Sequence, residues 1–253
     1  MKLYIIPLGA CDVDKGAVLT PGSGDGERIV IPIVAYLIET DDGRHILVDS
    51  GMHRKHIADP ESSFRGTEFA RYLTPIMRSE DDIINRLAEL SLGLDDIDIL
   101  VATHFHFDHA GNNSDFGASR VMVQRSAYEF AVNNPDAVMG DMWNHSHLQY
   151  EMIDGNLEIA PGVTLLESSG HTPGHMSVLV QLPETGAVLL AIDAIYTRET
   201  LESEIWGGYH DPGTAKASAD RLVAIAKREN ALLIFGHDRE QWATVHKSPE
   251  FYA

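Results

Sequence analysis

Three histidines and an aspartate fall within six positions at His104-Phe105-His106-Phe107-Asp108-His109. Alternate residues of an extended segment share a side, so His104 and His106 point the same way. Asp108 and His109 follow where the chain turns, and can point elsewhere. A run of this kind can feed two neighbouring metal ions. Neutral imidazole together with carboxylate suits zinc, iron, cobalt or manganese better than calcium. Solvated loop histidines would explain an isolated residue. They do not explain so dense a set of ligand types, which has little use in packing.

Two further segments carry the same chemistry. Gly170-His171-Thr172-Pro173-Gly174-His175 sets a histidine in a turn fixed by glycine and proline, where the backbone can aim the ring. Gly236-His237-Asp238 repeats the idea after the last apolar run, and Asp193 closes another such run with two oxygens able to bridge. His104, His106 and His171 would hold one ion, Asp108, His109 and His237 the other, and Asp193 would bridge them. Two ions about 3.5–4 Å apart orient both nucleophile and substrate oxygen, and a water shared as hydroxide forms near neutral pH. The implied cofactor is a pair of divalent transition-metal ions, zinc before iron, cobalt or manganese.

Short apolar runs must position these residues. Ile31–Ile38 reads as a strand, with Pro32 suggesting an edge or a strand entry. Ile46–Val48 leads to Asp49-Ser50-Gly51, Ile99–Ala102 to His104, Val163–Leu166 to His171, Val188–Ile192 to Asp193, and Leu232–Phe235 to His237. Their length and turn boundaries suit strands buried on both faces. Helices are expected between them. One is capped by Ser79 with Asp82 three residues on, another spans about 126–132, and a third starts near Thr214 and ends before Asn230. Strands mixed with helices give an α/β sandwich, in which sites form where loops converge beyond strand ends. No Pro/Gly/Ser linker divides the chain, so 1–253 reads as one domain, with Pro21–Gly26 a loop between strands.

Composition narrows the partners. Lys and Arg number 19 against 38 Asp and Glu, a net charge of −19. No broad basic face remains for a nucleic-acid backbone. No apolar run reaches the roughly 18 residues of a membrane span. The start, with Lys2 alone ahead of an apolar stretch broken by Pro7, reads as a first strand and not a signal segment. The single cysteine, Cys11, permits no internal disulfide and reads as a packed thiol, which suits a cytoplasmic protein. There is no nucleophile elbow, phosphate-binding loop or dinucleotide fingerprint.

With these residues in view, the chain resembles the metallo-β-lactamase superfamily. The resemblance rests on Asp49-Ser50-Gly51, His104–His109, Gly170–His175, Asp193 and Gly236-His237. Within it the chain looks like the N-acyl-homoserine lactonases. That narrower likeness runs through Lys2-Leu3-Tyr4, Leu19–Gly22, Asp49–Met52, Phe107–Gly111, Gly170–His175, Asp193 with Tyr196, and Phe235–Asp238. Ser50 and Asn112 depart from the commoner Thr and Gly and leave the ligands untouched. The resemblance implies an αββα four-layer sandwich and lactone hydrolysis at a dinuclear site. In that family Tyr196 would donate to the lactone oxygens and Asp108 would shuttle a proton to the leaving alkoxide. The implied partner is a small lactone bearing an acyl chain, and the protein would be a monomer or homodimer. The alternatives are an ester, thioester or β-lactam substrate on the same fold, or an iron redox or binding protein.

Phe64, Phe69, Phe107, Met139 and Trp143 are candidates for an acyl groove, with Phe64, Phe107 and Trp143 the expected substrate contacts. His175 and Asp49 are read as supports for the ligands. His145 and His147 read as loop histidines near the mouth, and His45, His53, His56, His210 and His246 as isolated and solvated.

Overall fold

The first strand, β1, runs Lys2–Asp14 in spite of Pro7. It pairs antiparallel with β2 (Arg28–Glu39) from Lys2↔Glu39 to Pro7↔Val34, and the register shifts before resuming at Ala10↔Pro32. Three steps along β1 there answer two along β2, and Gly9, at φ 93°, supplies the left-handed backbone of the bulge. The remaining strands are β3 (His45–Val48), β4 (Leu73–Ile76), β5 (Ile99–Val101), β6 (Arg120–Gln124) and β7 (Tyr150–Ile153). They are followed by β8 (Leu157–Ala160), β9 (Val163–Glu167), β10 (Met176–Leu182), β11 (Gly186–Leu190) and β12 (Leu232–Ile234). This computed structural model describes residues 1–253 apart from the side chains of Asp136 and Ala137.

Among the described residues the strands form two sheets, ordered β4-β1-β2-β3-β5-β6-β7 and β12-β11-β10-β9-β8. Strand alternation gives each sheet two apolar faces. Ile5, Tyr36, Ile38, Val48 and Val101 from the first sheet meet Val163, Leu165, Val178, Val188 and Leu190 from the second in one buried core between the sheets. Leu37, Leu47, Leu100, Val121 and Leu189, one residue out of phase, point outward into a second core shared with the helices. Each such side chain contributes roughly 1.5–3 kcal/mol on burial. Helices therefore cover both outer faces, which is the four-layer sandwich expected.

The helix Pro212–Glu229 shows why the outer layers form. Asp211 caps it by accepting from the Thr214 amide, and Asn230 ends it in the left-handed conformation. Its Ala219, Leu222, Ile225 and Ala226 form the buried face. The helix Ile83–Glu89 corrects one expectation. Asp82, not Ser79, is its cap, because the extended Asp82 accepts from the Ile84 amide while Ser79 opens a short 3-10 turn. Pro32 corrects another. It lies inside β2, an inner strand, but β3 pairs with β2 only over Tyr36–Glu39. The Pro32 segment lies beyond the reach of β3, so proline breaks no ladder there.

Candidate metal centre

The strands release their ligands along one rim. Asp49 follows β3 and His104–His109 follow β5. His171 lies between β9 and β10, Asp193 follows β11, and His237 follows β12. Expected strand ends shift slightly: β11 stops at Leu190, and Asp193 sits in a 3-10 turn, Ile192–Ala194. Two of these exits are strained, with Asp49 at φ 62° and Ile192 at φ 51°. Left-handed backbone at non-glycine residues is held only where surrounding structure over-determines it. Gly236 has a different reason. A Cβ there would lie 2.5 Å from the Ile192 carbonyl oxygen and 2.9 Å from Asp193 Oδ1, so only glycine lets the His237 turn approach Asp193.

The result is two ligand groups, His104, His106, His171 and Asp193, and Asp108, His109 and His237, with the inward atoms of each within 4.8 Å of one another. His171 Nε2 lies 3.1 Å from His104 Nε2 and 2.9 Å from His106 Nδ1. One N–H cannot serve both partners, so lone pairs converge where a cation would collect them. Asp193 faces both groups. Its Oδ2 lies 3.3 Å from His171 Nε2 and 3.8 Å from His104 Nε2, and its Oδ1 3.1 Å from His237 Nε2 and 3.4 Å from His109 Nε2. Asp108 Oδ2 completes the second group, 3.6 Å from His109 Nε2 and 3.7 Å from His237 Nε2. None of these carboxylate approaches is a hydrogen bond, being too long or misaligned, and His109 Nε2 and Asp193 Oδ1 are buried without a partner. Orphaned buried atoms are costly in a metal-free site and are ligand atoms in a loaded one. The residues present thus fit a pair of divalent ions.

The outward nitrogens are tied down. His109 Nδ1 meets Asp49 Oδ2 at 2.8 Å, and His237 Nδ1 donates to the Pro32 carbonyl at 2.9 Å. Thr103 gives its hydroxyl proton to Asp49, leaving its oxygen to accept from His104 Nδ1 at 3.1 Å. His171 Nδ1 lies 2.9 Å from the Tyr196 hydroxyl. The contacts of His104, His109 and His237 place the hydrogen on the far nitrogen and the lone pair on the near one, and the Tyr196 oxygen can accept from His171 in the same way. His175 acts one step further out. Its Nε2 accepts the Asp193 backbone N–H at 3.1 Å, and its Nδ1 meets Ser168 Oγ at 2.9 Å. Asn112 donates from Nδ2 to the Ser50 and Met52 carbonyls. Its backbone N–H is taken by Ser50 Oγ, so Ser50 and Asn112 lock together behind His109.

Electrostatics divides the two groups. Burial above all drives His104 and His171 well below the ordinary imidazole value, and His106 below it. Burial also acts downward on His109, but Asp193, Asp108 and Asp49 together hold it well above that value. His237 is raised by Asp193 and Asp108 against the same burial. Burial would lift Asp193, yet His109 and His237 pull it well below the carboxylate range. Burial keeps the Tyr196 phenol protonated, with Tyr209 and Asp193 adding to the rise.

A cavity of about 390 Å³ opens from the ligands. His106, Asp108, His171, Asp193, Tyr196 and His237 form its floor, and Phe64, Phe69, Phe107, Phe130 and Met139 are among its walls. Phe64 and Phe107 meet edge-on at 4.8 Å. Trp143 is not brought to this cavity. It is fully buried against Phe105 at 4.4 Å, and its indole N–H donates to the Val138 carbonyl. Cys11 is buried as expected, but it also lines the cavity, and His210, read as solvated, stands exposed at its wall. β1 alternation, which puts Cys11 and Val13 on one side, was the signal for that wall. His56 corrects the expectation most sharply, being completely buried. His145 and His147 bond the carbonyls of Asp141 and Ser114 and are not among the lining residues.

Known proteins share this arrangement. The pattern of the metallo-β-lactamase superfamily matches residues 28–237. The chain is 39% identical to N-acyl homoserine lactonase AiiA of Bacillus thuringiensis subsp. kurstaki, over 99% of this chain and 98% of the relative. It superposes with TM-score 0.93 and 37% identity on an N-acyl homoserine lactone hydrolase carrying the product N-hexanoyl-L-homoserine at its catalytic metal center, covering 99% and 98% of the two chains. A B. thuringiensis AiiA variant with N-decanoyl-L-homoserine at the active site matches equally, at TM-score 0.93, 37% identity and the same coverage.

Proposed function

The chain belongs to the metallo-β-lactamase superfamily and, within it, to the N-acyl homoserine lactonases, and from that membership we propose that it hydrolyses the lactone ring of N-acyl homoserine lactones, a quorum-quenching reaction. The observation that carries this reading is Asp193, which turns one oxygen to each of two ligand groups on the floor of an apolar cavity.

His104, His106 and His171 would hold one ion, Asp108, His109 and His237 the other, with Asp193 shared. When bound, two divalent transition-metal ions supply Lewis acidity to the carbonyl and a water acidic enough to react near neutral pH. Zinc is the ion we favour, on the strength of the imidazole and carboxylate ligands, with iron, cobalt and manganese compatible with the same set.

The chain's own groups handle the remaining chemistry. With its near nitrogen turned to the ligand cluster, His171 carries its hydrogen on Nδ1 and gives it to the Tyr196 oxygen. The phenol's own O–H is then free to donate into the cavity, toward the lactone oxygen where charge develops. Asp108 lines the cavity and has a carboxylate able to take a proton and pass it to the leaving alkoxide. Phe64 and Phe107 would flank the acyl chain.

No helix among the described residues is long and apolar enough to cross a membrane. We read the protein as a cytoplasmic monomer or homodimer, and the unpaired, buried Cys11 suits a reducing compartment. Titration of released acid from N-hexanoyl-homoserine lactone tests the function. One equivalent per ring opened, abolished by strong chelation, is expected. Turnover of a thioester with no acid released from any lactone would overturn the reading.

A further inference from the structure

We propose that His56 is a positioning residue that sets how long an acyl chain the cavity accepts, by holding the Phe64–Phe107 wall in place. The inference rests on the lactonase reading above.

The His56 ring is completely excluded from solvent, which is unusual for an imidazole with no charged partner. Both nitrogens are used, and both by the ring's own loop. Nδ1 lies 3.0 Å from the Pro60 carbonyl oxygen and Nε2 3.1 Å from Ser63 Oγ. A carbonyl only accepts, so Nδ1 carries the hydrogen and Nε2 receives the Ser63 hydroxyl. Burial pushes the imidazole down to about 4, against the Pro60 carbonyl, so the neutral ring and this bonding pattern persist at neutral pH.

The ring faces are occupied as well. His56 stacks nearly parallel on Phe64, with centroids 6.1 Å apart and planes 16° apart, and meets Phe107 edge-on at 6.1 Å. Phe64 is 3% exposed and leads on to Phe69, at 6.4 Å and half exposed. Phe107 sits between the ligands His106 and Asp108, so the inner end of the wall is fixed by the metal centre. Its outer end, Phe64, is fixed by the loop that His56 closes. A butanoyl chain ends close to the ligands. A decanoyl chain would reach the part of the cavity that Phe64 and Phe69 line, so only the longer chain would sense where the loop holds Phe64.

The test uses the zinc-loaded full chain and two substrates, the N-butanoyl and N-decanoyl homoserine lactones. His56→Ala is expected to raise the decanoyl KM about tenfold, with the butanoyl KM and both kcat values within about twofold and two zinc ions retained. His56→Asn, which can still donate to the Pro60 carbonyl, recovers most of that loss. Ser63→Ala shifts the decanoyl KM the same way by about two- to threefold, and keeps the proposal refutable where His56→Ala does not fold. Equal changes for both chain lengths, or none, would overturn it. Calorimetry with the ring-opened N-decanoyl-homoserine separates the two readings. A wild-type protein that opens no lactone sinks the function, whereas weaker decanoyl binding by His56→Ala still upholds the wall. Unchanged binding in that variant, beside an active wild type, sinks the wall alone.

Discussion

The metal centre and the aromatic wall beside it share Phe107 but are held in opposite ways. The outward nitrogens of His104, His109, His171 and His237 are braced by Thr103, Asp49, Tyr196 and the Pro32 carbonyl. Asp49 is 60 residues from its ring, Pro32 205 and Tyr196 25, and Thr103, the neighbour of His104, is itself tied to Asp49 54 residues away. His56 is braced by Pro60 and Ser63, four and seven residues away. Distant braces tie the chemistry to the folding of the whole chain. Local braces let the entrance loop change without disturbing it. Reactivity and selectivity are thus separable here, and substitutions can test that separation.

The largest effect is expected at the shared carboxylate. Asp193→Ala should lower turnover more than about 1,000-fold on every chain length and empty the site, because it takes a ligand from both groups. Metal analysis finding two ions and wild-type turnover would break the comparison at its root. Asp49→Asn leaves the ligands in place but removes the charge behind His109, so metal affinity should fall about 10- to 100-fold, read by competition with a chelating dye. Tyr196→Phe should keep both ions and lower kcat about tenfold or more, equally for short and long substrates. A variant that loses its metal would recast this residue as a brace only. Trp143→Ala should cost about 3–5 kcal/mol of stability by leaving a large void. The decanoyl KM should stay within about twofold, and a selective rise would return Trp143 to the substrate wall.

The smallest effect is a matter of pH. His56 is held near 4, below its ordinary 6.5, so the unfolded chain binds the extra proton first. Its share of stability is full above about 6.5 and is lost as pH falls through that window toward 4. Denaturant midpoints of wild type and His56→Asn should therefore converge as the solution is acidified. Parallel lines would contradict a neutral, buried ring.

The clustering of these histidines and aspartates was legible because density of residue type is itself a signal, and four apolar runs pointed to one rim. The layered α/β class was legible for the same reason, from runs too short for helices and apolar on both faces. Trp143 was not. In the stretch Asp141–His147 it reads as a loop residue facing the acyl groove, and only Phe105 and the Val138 carbonyl, which the fold brings to it, make it core. His56 failed similarly, since nothing in the local sequence says that Pro60 and Ser63 will turn back on both nitrogens. Ser79 lost to Asp82 because two acceptable caps stood three residues apart, and the backbone of Asp82 was the one in the extended conformation.

Asp49 and His104–His109 leave strands of one sheet, while His171, Asp193 and His237 leave strands of the other. Whatever these side chains jointly grip also rivets one half of the molecule to its counterpart. Ligand binding of this kind raises the free energy of opening, and an unriveted chain gapes more often. A chain short of divalent metal would therefore be more open to proteolysis as well as idle.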